Sequence, residues 1–276
     1  MEITAFLQEY GVFVVAMCFA GVLGGLVAGL LGVGGGIVIV PVLFSVLVAV
    51  GIEDGLAIKL SVATSLATII VTSMSSARSH SKRNAIDYAL LKSWFVPVVI
   101  GVVAGTALAS IVKGAVLTLV FAVIALLVAI NMLLRGKGTQ LTSDFPNPAV
   151  KFVCGLFVGL FSAMMGIGGG TLSVPILTAF GTEIRRAVGT ASAIGFFIAI
   201  PATIGYMIAG WGRPDLPPLS LGYVNLLAFA ALVPLTALFA PLGARIAHAI
   251  PQRALSYSFA GFLLLTSARM FYGLLH

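Results

Sequence analysis

Hydrophobic residues gather in ten runs along this chain, at about 11–31, 37–52, 57–76, 89–112, 114–134, 148–165, 171–182, 187–209, 221–248 and 253–275. A helix needs about 20 apolar residues to cross a bilayer, and most of the runs reach that length. The second and seventh fall short. Each of these follows a glycine cluster, and the seventh is closed off early by Glu183, Arg185 and Arg186. The carboxylates Glu2, Glu9, Glu53, Asp54, Asp87, Asp144, Glu183 and Asp215 lie at the start of the chain or in the gaps between runs. The pattern predicts an all-α polytopic membrane protein of about ten hydrophobic segments, two of them short helices behind glycine-rich breaks. Non-helical backbone at membrane depth is tolerated only where protein or a cavity covers it.

The glycine clusters are copies of one another. GLLGVGGGIVIVPVL runs from Gly29 to Leu43 and SAMMGIGGGTLSVPIL from Ser162 to Leu177. Gly32, Gly34, Gly35, Gly36 and Pro41 return 134 positions later as Gly166, Gly168, Gly169, Gly170 and Pro175. An interval near half the chain predicts an internal duplication, with residues 1–137 as the first transmembrane repeat and 149–276 as the second. Residues 138–148 form the cytoplasmic connector between them. Each repeat then holds a long helix, a glycine turn, a short helix and three further helices. Five crossings is an odd number, so the second half enters from the opposite side and the two are inverted-topology repeats, a common plan of secondary transporters. Pro41 and Pro175 are expected to start or bend the short helices, and Pro97, Pro201 and Pro234 to kink longer ones.

Composition supports the membrane. The chain is 60% apolar and 8% charged, with a mean hydropathy of +1.17, which excludes an ordinary soluble enzyme. Its net charge of +7 is scattered through short loops and forms no stripe suited to nucleic acid. If all ten segments change side and the amino terminus is outside, 11 of the 15 basic residues face the cytoplasm and 4 (Lys59, Lys113, Arg213 and Arg269) face out. That bias favours both termini outside, in the cytoplasmic membrane. Merging each long–short pair into one kinked span gives eight crossings and spreads the basic residues more evenly. Cys18 and Cys154 make neither a disulfide framework nor a metal motif. The first run lacks a basic leader and a clear cleavage site, and reads as a retained segment.

GLLGVGGG with its downstream proline, the echo GLFSAMMGIGGG and the Thr-Ser stretch of KLSVATS resemble the TauE/SafE family of sulfite and organosulfonate exporters. NAIDY at Asn84–Tyr88 and PLGARIA at Pro241–Ala247 agree with this. The resemblance runs from about Gly11 to Leu274 and implies an integral membrane transporter for small anions, chiefly sulfur-containing ones. It departs in one place, since Thr64 and Ser65 in one half correspond to Thr190 and Ala191 in the other.

The triple glycines suggest where an anion sits. A helix that begins inside the membrane exposes unpaired N–H groups and the positive end of its dipole, and glycine lets an oxyanion approach them. Gly34, Gly35 and Gly36 precede one short helix and Gly168, Gly169 and Gly170 the other. Thr64, Ser65, Thr190 and Ser192, with Thr68, add hydroxyls at matching places, although helix hydroxyls also bond carbonyls one turn back. Gly21, Gly25, Gly155 and Gly159, spaced by four, are better explained by close helix crossing. Asn131 and Asn225 suit a helix–helix hydrogen bond as well as a substrate contact. Arg269 is expected to snorkel outward, while Arg245 and His248 could attract anions at the cytoplasmic end of the ninth segment. No cofactor or metal motif is present, and there is no phosphate loop for ATP-driven pumping. Secondary transport of a small anion leads. An anion channel is the alternative, and an intramembrane enzyme finds no paired carboxylates or nucleophile–base set to support it.

Overall fold

The computed structural model describes residues 3–31, 34–134, 144–249 and 252–275. Gly32 and most of the expected connector fall outside them, as do the side chains of Arg245, His248 and Arg253. The expected segments are all helices: α1 Ile3–Leu31, α2 Gly36–Ala49, α3 Asp54–Ser81, α4 Tyr88–Ile111, α5 Gly114–Leu134, α6 Pro148–Met165, α7 Gly170–Ala179, α8 Ile184–Ala209, α9 Leu226–Ala249 and α10 Gln252–Leu275. Among the described residues six helices are long and apolar enough to cross a membrane. Exposed Val103, Leu127 and Leu265 turn large apolar side chains away from the core, as a lipid-facing surface requires.

Local chemistry sets several helix ends. Asp87 caps α4 by accepting the N–H of Leu90 at 3.0 Å, and Asn147 caps α6 by accepting that of Val150 at 2.8 Å. Pro148 follows at the first helical position, where its missing N–H costs nothing. The short helices have 14 and 10 residues, about 21 and 15 Å of rise, so neither spans a core of about 30 Å alone. Pro41 and Pro175 lie inside these helices, not at their starts.

Two pairs of helices pack in the same way. Gly21 of α1 lies against Leu232 and Leu235 of α9, and Gly25 against Thr236 and Phe239, so the two helices run parallel. Gly155 of α6 lies against Pro97 of α4, and Gly159 against Val98 and Val102, again in parallel. A Cβ on Gly25 would stand 2.8 Å from the Thr236 carbonyl oxygen, and one on Gly159 would overlap that of Val98. These crossings use the spacing of four that the sequence offered. Between them lie α3 and α8. Ser76 Oγ is 3.0 Å from Ser192 Oγ, and Gly195 faces Ser73, so residue numbers rise along one helix as they fall along the other. This central pair is antiparallel. The α5–α10 contact is tied by Ser267, which donates to the Ala122 carbonyl at 2.8 Å.

The sequence missed one element. Residues expected to open the ninth helix form a hairpin of β1 Ser220–Leu221 and β2 Val224–Asn225, and α9 begins only at Leu226. Gly222 makes the turn with φ +55° beneath Met207. Beside the hairpin, Arg213 donates to Asp215 through Nε and Nη2, at 2.9 and 2.6 Å, and this guanidinium holds the exposed Asp215 carboxyl below the usual carboxylate range. Lys59, placed among outer basic residues by the sequence, is buried: it donates to the Ser110 carbonyl at 3.0 Å and lies 5.8 Å from the Tyr223 ring centre.

Candidate functional site

The two glycine turns meet at the middle of the α3–α8 pair. A Cβ on Gly36 would stand 2.5 Å from the Gly166 carbonyl oxygen, and one on Gly34 would stand 3.7 Å from the Gly168 Cα and 3.6 Å from Ser73 Oγ. Gly169 presses on α8, where a Cβ would lie 2.7 Å from the Ala191 carbonyl oxygen and 2.8 Å from the Gly195 nitrogen. Gly34 and Gly36 of the first turn thus meet Gly168 and Gly166 of the second, with Ser73 beside them, whereas Gly35 faces Gly24 and Ala28 of α1 and Gly169 faces Gly195 of α8. Neither α2 nor α7 has a side-chain cap at its amino end. No Asp, Glu, Lys or Arg occurs on α2 or α7, on α3 between Lys59 and Arg78, or on α8 after Arg186.

The hydroxyls do not all converge on that point. Ser65 donates to the Gly166 carbonyl at 2.7 Å, which uses its single proton. Thr68 bonds the carbonyl of Thr64 at 3.0 Å, the local bond expected of a helix hydroxyl. Ser192 bonds Val188 in the same way and also reaches Ser76. Thr72 Oγ1 lies 3.3 Å from the Gly34 carbonyl oxygen.

Thr64 and Thr190 hold matching posts at opposite ends. Thr64 Oγ1 accepts the backbone N–H of Asn225 at 3.0 Å, and Thr190 Oγ1 accepts that of Asp87 at 2.9 Å. Both partners cap a helix: Asn225 accepts from the Ala228 N–H at 2.8 Å, as Asp87 does from Leu90. By the antiparallel register Thr190 stands level with Arg78, which puts the two threonines about 21 Å apart along the pair. Each threonine ties one half of the chain to the other. Asp87 also meets Arg186 at 3.4 Å, whereas neutral Asn225 bonds weakly to Pro218 and Ser220. The NAIDY stretch thus serves the architecture. Asn84 turns the chain with φ +52°, Asp87 caps α4, and Tyr88 bonds Ser81 at 2.9 Å.

Two open cavities lie elsewhere. One of about 340 Å³ is bordered by Trp211, Arg213, Pro217 and Ser220 in the loop before the hairpin. Another of about 200 Å³ separates Pro41 and Phe44 of α2 from Thr266 and Arg269 of α10. Neither is lined by the described residues of the glycine turns.

Sequence reasoning missed Ser73, Ser76, Asp87 and Gly195 as partners in this region. The antiparallel register alone juxtaposes them, and no local spacing encodes it.

Comparison with known proteins places this architecture. The chain is 31% identical over 259 residues to a probable membrane transporter protein of Haemophilus influenzae, covering 94% of this chain and 98% of that one. It is 26% identical over 281 residues to the probable membrane transporter protein YunE of Bacillus subtilis, covering 94% and 97%. No solved structure matches. The pattern of the sulfite exporter TauE/SafE family matches residues 17–270, and this chain, with its paired glycine turns, belongs to that family.

Proposed function

We propose that this multi-pass membrane protein is a secondary transporter of a small anion, a sulfur oxyanion or organosulfonate such as sulfite, across the cytoplasmic membrane. The observation that carries the reading is the meeting of two uncapped helix amino ends, those of α2 and α7, in a buried region without fixed charge. Such ends offer free N–H donors and about half a positive charge each. The family match and the names of both relatives support transport.

Inverted repeats fit the packing. Exchanging the first five helices for the last five turns the α1–α9 pair into α6–α4, and both pairs are parallel. The same exchange maps α3 onto α8, and those two are antiparallel, as two copies of one unit inserted in opposite senses must be. The charge bias of the loops supports both termini outside. Lys59 and Arg213, both assigned outward, flank the same Tyr223 ring, while Asp87 and Arg186, both assigned inward, pair with each other. Accumulation of labelled sulfite by counterflow in proteoliposomes tests the reading. Flux without counterflow would favour the channel, and preference for cations or neutral solutes would reject anion transport.

A further inference from the structure

We propose that the groove between α2 and α10 binds an anionic phospholipid, with the lipid phosphate on Arg269 and the hydroxyl of Thr266. The site lies apart from the glycine turns and does not depend on the transport reading.

One face of α10 makes half of the groove. Phe262, Leu265, Thr266 and Arg269 line it, and their spacing of three and four puts them on one side of the helix. Ser267 turns away from that side and donates to the Ala122 carbonyl of α5 at 2.8 Å. Pro41 and Ser45 of α2 stand on the opposite wall, across a cavity of about 200 Å³. The helix is thus held by α5 on one side and faces an open space on the other.

Two polar groups in this groove lack a partner. Thr266 is 7% exposed, and among the described residues its hydroxyl makes no hydrogen bond, unlike that of its neighbour Ser267. Arg269 forms no ion pair with a described carboxylate, for the pairs found there join Arg186 to Asp87 and Arg213 to Asp215. Ser45 offers no proton, because it donates to the Pro41 carbonyl at 2.8 Å. The unpaired hydroxyls of Thr106 and Thr203 are sealed inside the protein, whereas that of Thr266 belongs to a residue that borders a cavity and shares it with a cation. Buried polar groups call for partners, and here the space for one is present.

The surroundings choose the occupant. Leu265 is 75% exposed, so the groove opens on the apolar wall of the helices, which in a multi-pass protein faces acyl chains. A free anion would have to leave water to reach it, whereas a phospholipid carries its phosphate there on chains that lie along that wall. Arg269 stands six residues before Leu275, the end of α10. That is about 9 Å of rise, from which an arginine snorkels to the headgroup boundary. The orientation argued above assigns the lipid to the outer leaflet. A guanidinium fork matches two phosphate oxygens, and an anionic headgroup lacks the ammonium that neutralises a zwitterionic one. The cavity is smaller than the about 300–1,000 Å³ of a small-molecule pocket and takes a headgroup whose chains stay in the bilayer.

Native mass spectrometry of the purified full-length protein, titrated with phosphatidylglycerol and with phosphatidylcholine of the same chains, tests this. The first phosphatidylglycerol is expected to bind about fivefold more tightly, the ratio that one cationic side chain supplies toward anionic lipid. Arg269→Gln should erase that preference, while Lys113→Gln, at another residue assigned outward, should leave it intact. Thr266→Val should weaken phosphatidylglycerol binding several-fold with an unchanged melting temperature, since the hydroxyl it removes holds no partner in the protein. Equal binding of the two lipids, or a preference that survives Arg269→Gln, overturns the proposal. Glycerol phosphate binding as tightly as phosphatidylglycerol would make this a site for a soluble anion, and a dimer lost in Arg269→Gln would make it a contact between copies. Either result overturns the lipid. Counterflow on the same samples bears on transport alone, so the two readings fail separately.

Discussion

Ser65 on α3 donates a hydrogen bond of 2.7 Å to the carbonyl of Gly166, where α6 ends and the second glycine turn begins. The corresponding residue of the other half is Ala191, which has no hydroxyl to donate. The Gly166 carbonyl also abuts Gly36, so one serine steadies the place where the two turns touch. Ser65→Ala should leave that buried carbonyl unpaired and lower stability by about 1–3 kcal/mol. Thermal unfolding in detergent measures it, and an unshifted midpoint would remove Ser65 from this role.

Thr64 and Thr190 predict a sided pair of defects. Thr64→Val removes the acceptor for Asn225, and Thr190→Val the one for Asp87, each at a cost of about 1–3 kcal/mol. If the halves are inverted, the first should increase labelling of a cysteine near the hairpin from outside. The second should increase labelling near Asp87 from the cytoplasm. Both effects on one side would contradict the inversion.

Gly35→Val and Gly169→Val should abolish transport while leaving protein in the membrane, for different reasons. Gly35 has φ +78°, a conformation costly to any side chain and most of all to a β-branched one. Gly169 has an ordinary helical φ of −55° but no room against α8. Uptake normalised to folded protein checks both, and near-normal transport by either removes its turn from the pathway.

Topology has its own test. Cysteines placed at Ser81 and Thr142 should label only from the cytoplasm and one at Asp215 only from outside. Reversed labelling of an inner site would overturn the orientation argued from the 11 and 4 basic residues.

Much of the architecture was legible in the sequence, because bilayer-length apolar runs and a three-glycine repeat impose their meaning locally. Helix ends fell within a few residues of expectation for α4, α5, α6 and α10. The hairpin at Ser220–Asn225 was not, since its residues are as apolar as the helix they precede and Gly222 alone signals the turn. The site was half legible. The glycines declare themselves through duplication, whereas the hydroxyls carry no mark beyond matching sequence position. Thr64 and Thr190 match in sequence because they do the same job far apart.

Gly35 and Gly169 occupy the same place in the same motif, each just before its short helix, yet one backbone is left-handed and the other right-handed. If the halves are inverted copies, opening to the opposite side amounts to exchanging their conformations. One static structure would then hold a template for its own mirror state: imposing the geometry of each turn on the other yields coordinates for the alternate-facing form. Distances between labelled sites on the two membrane faces, measured with and without substrate, could then be compared with values calculated before the experiment.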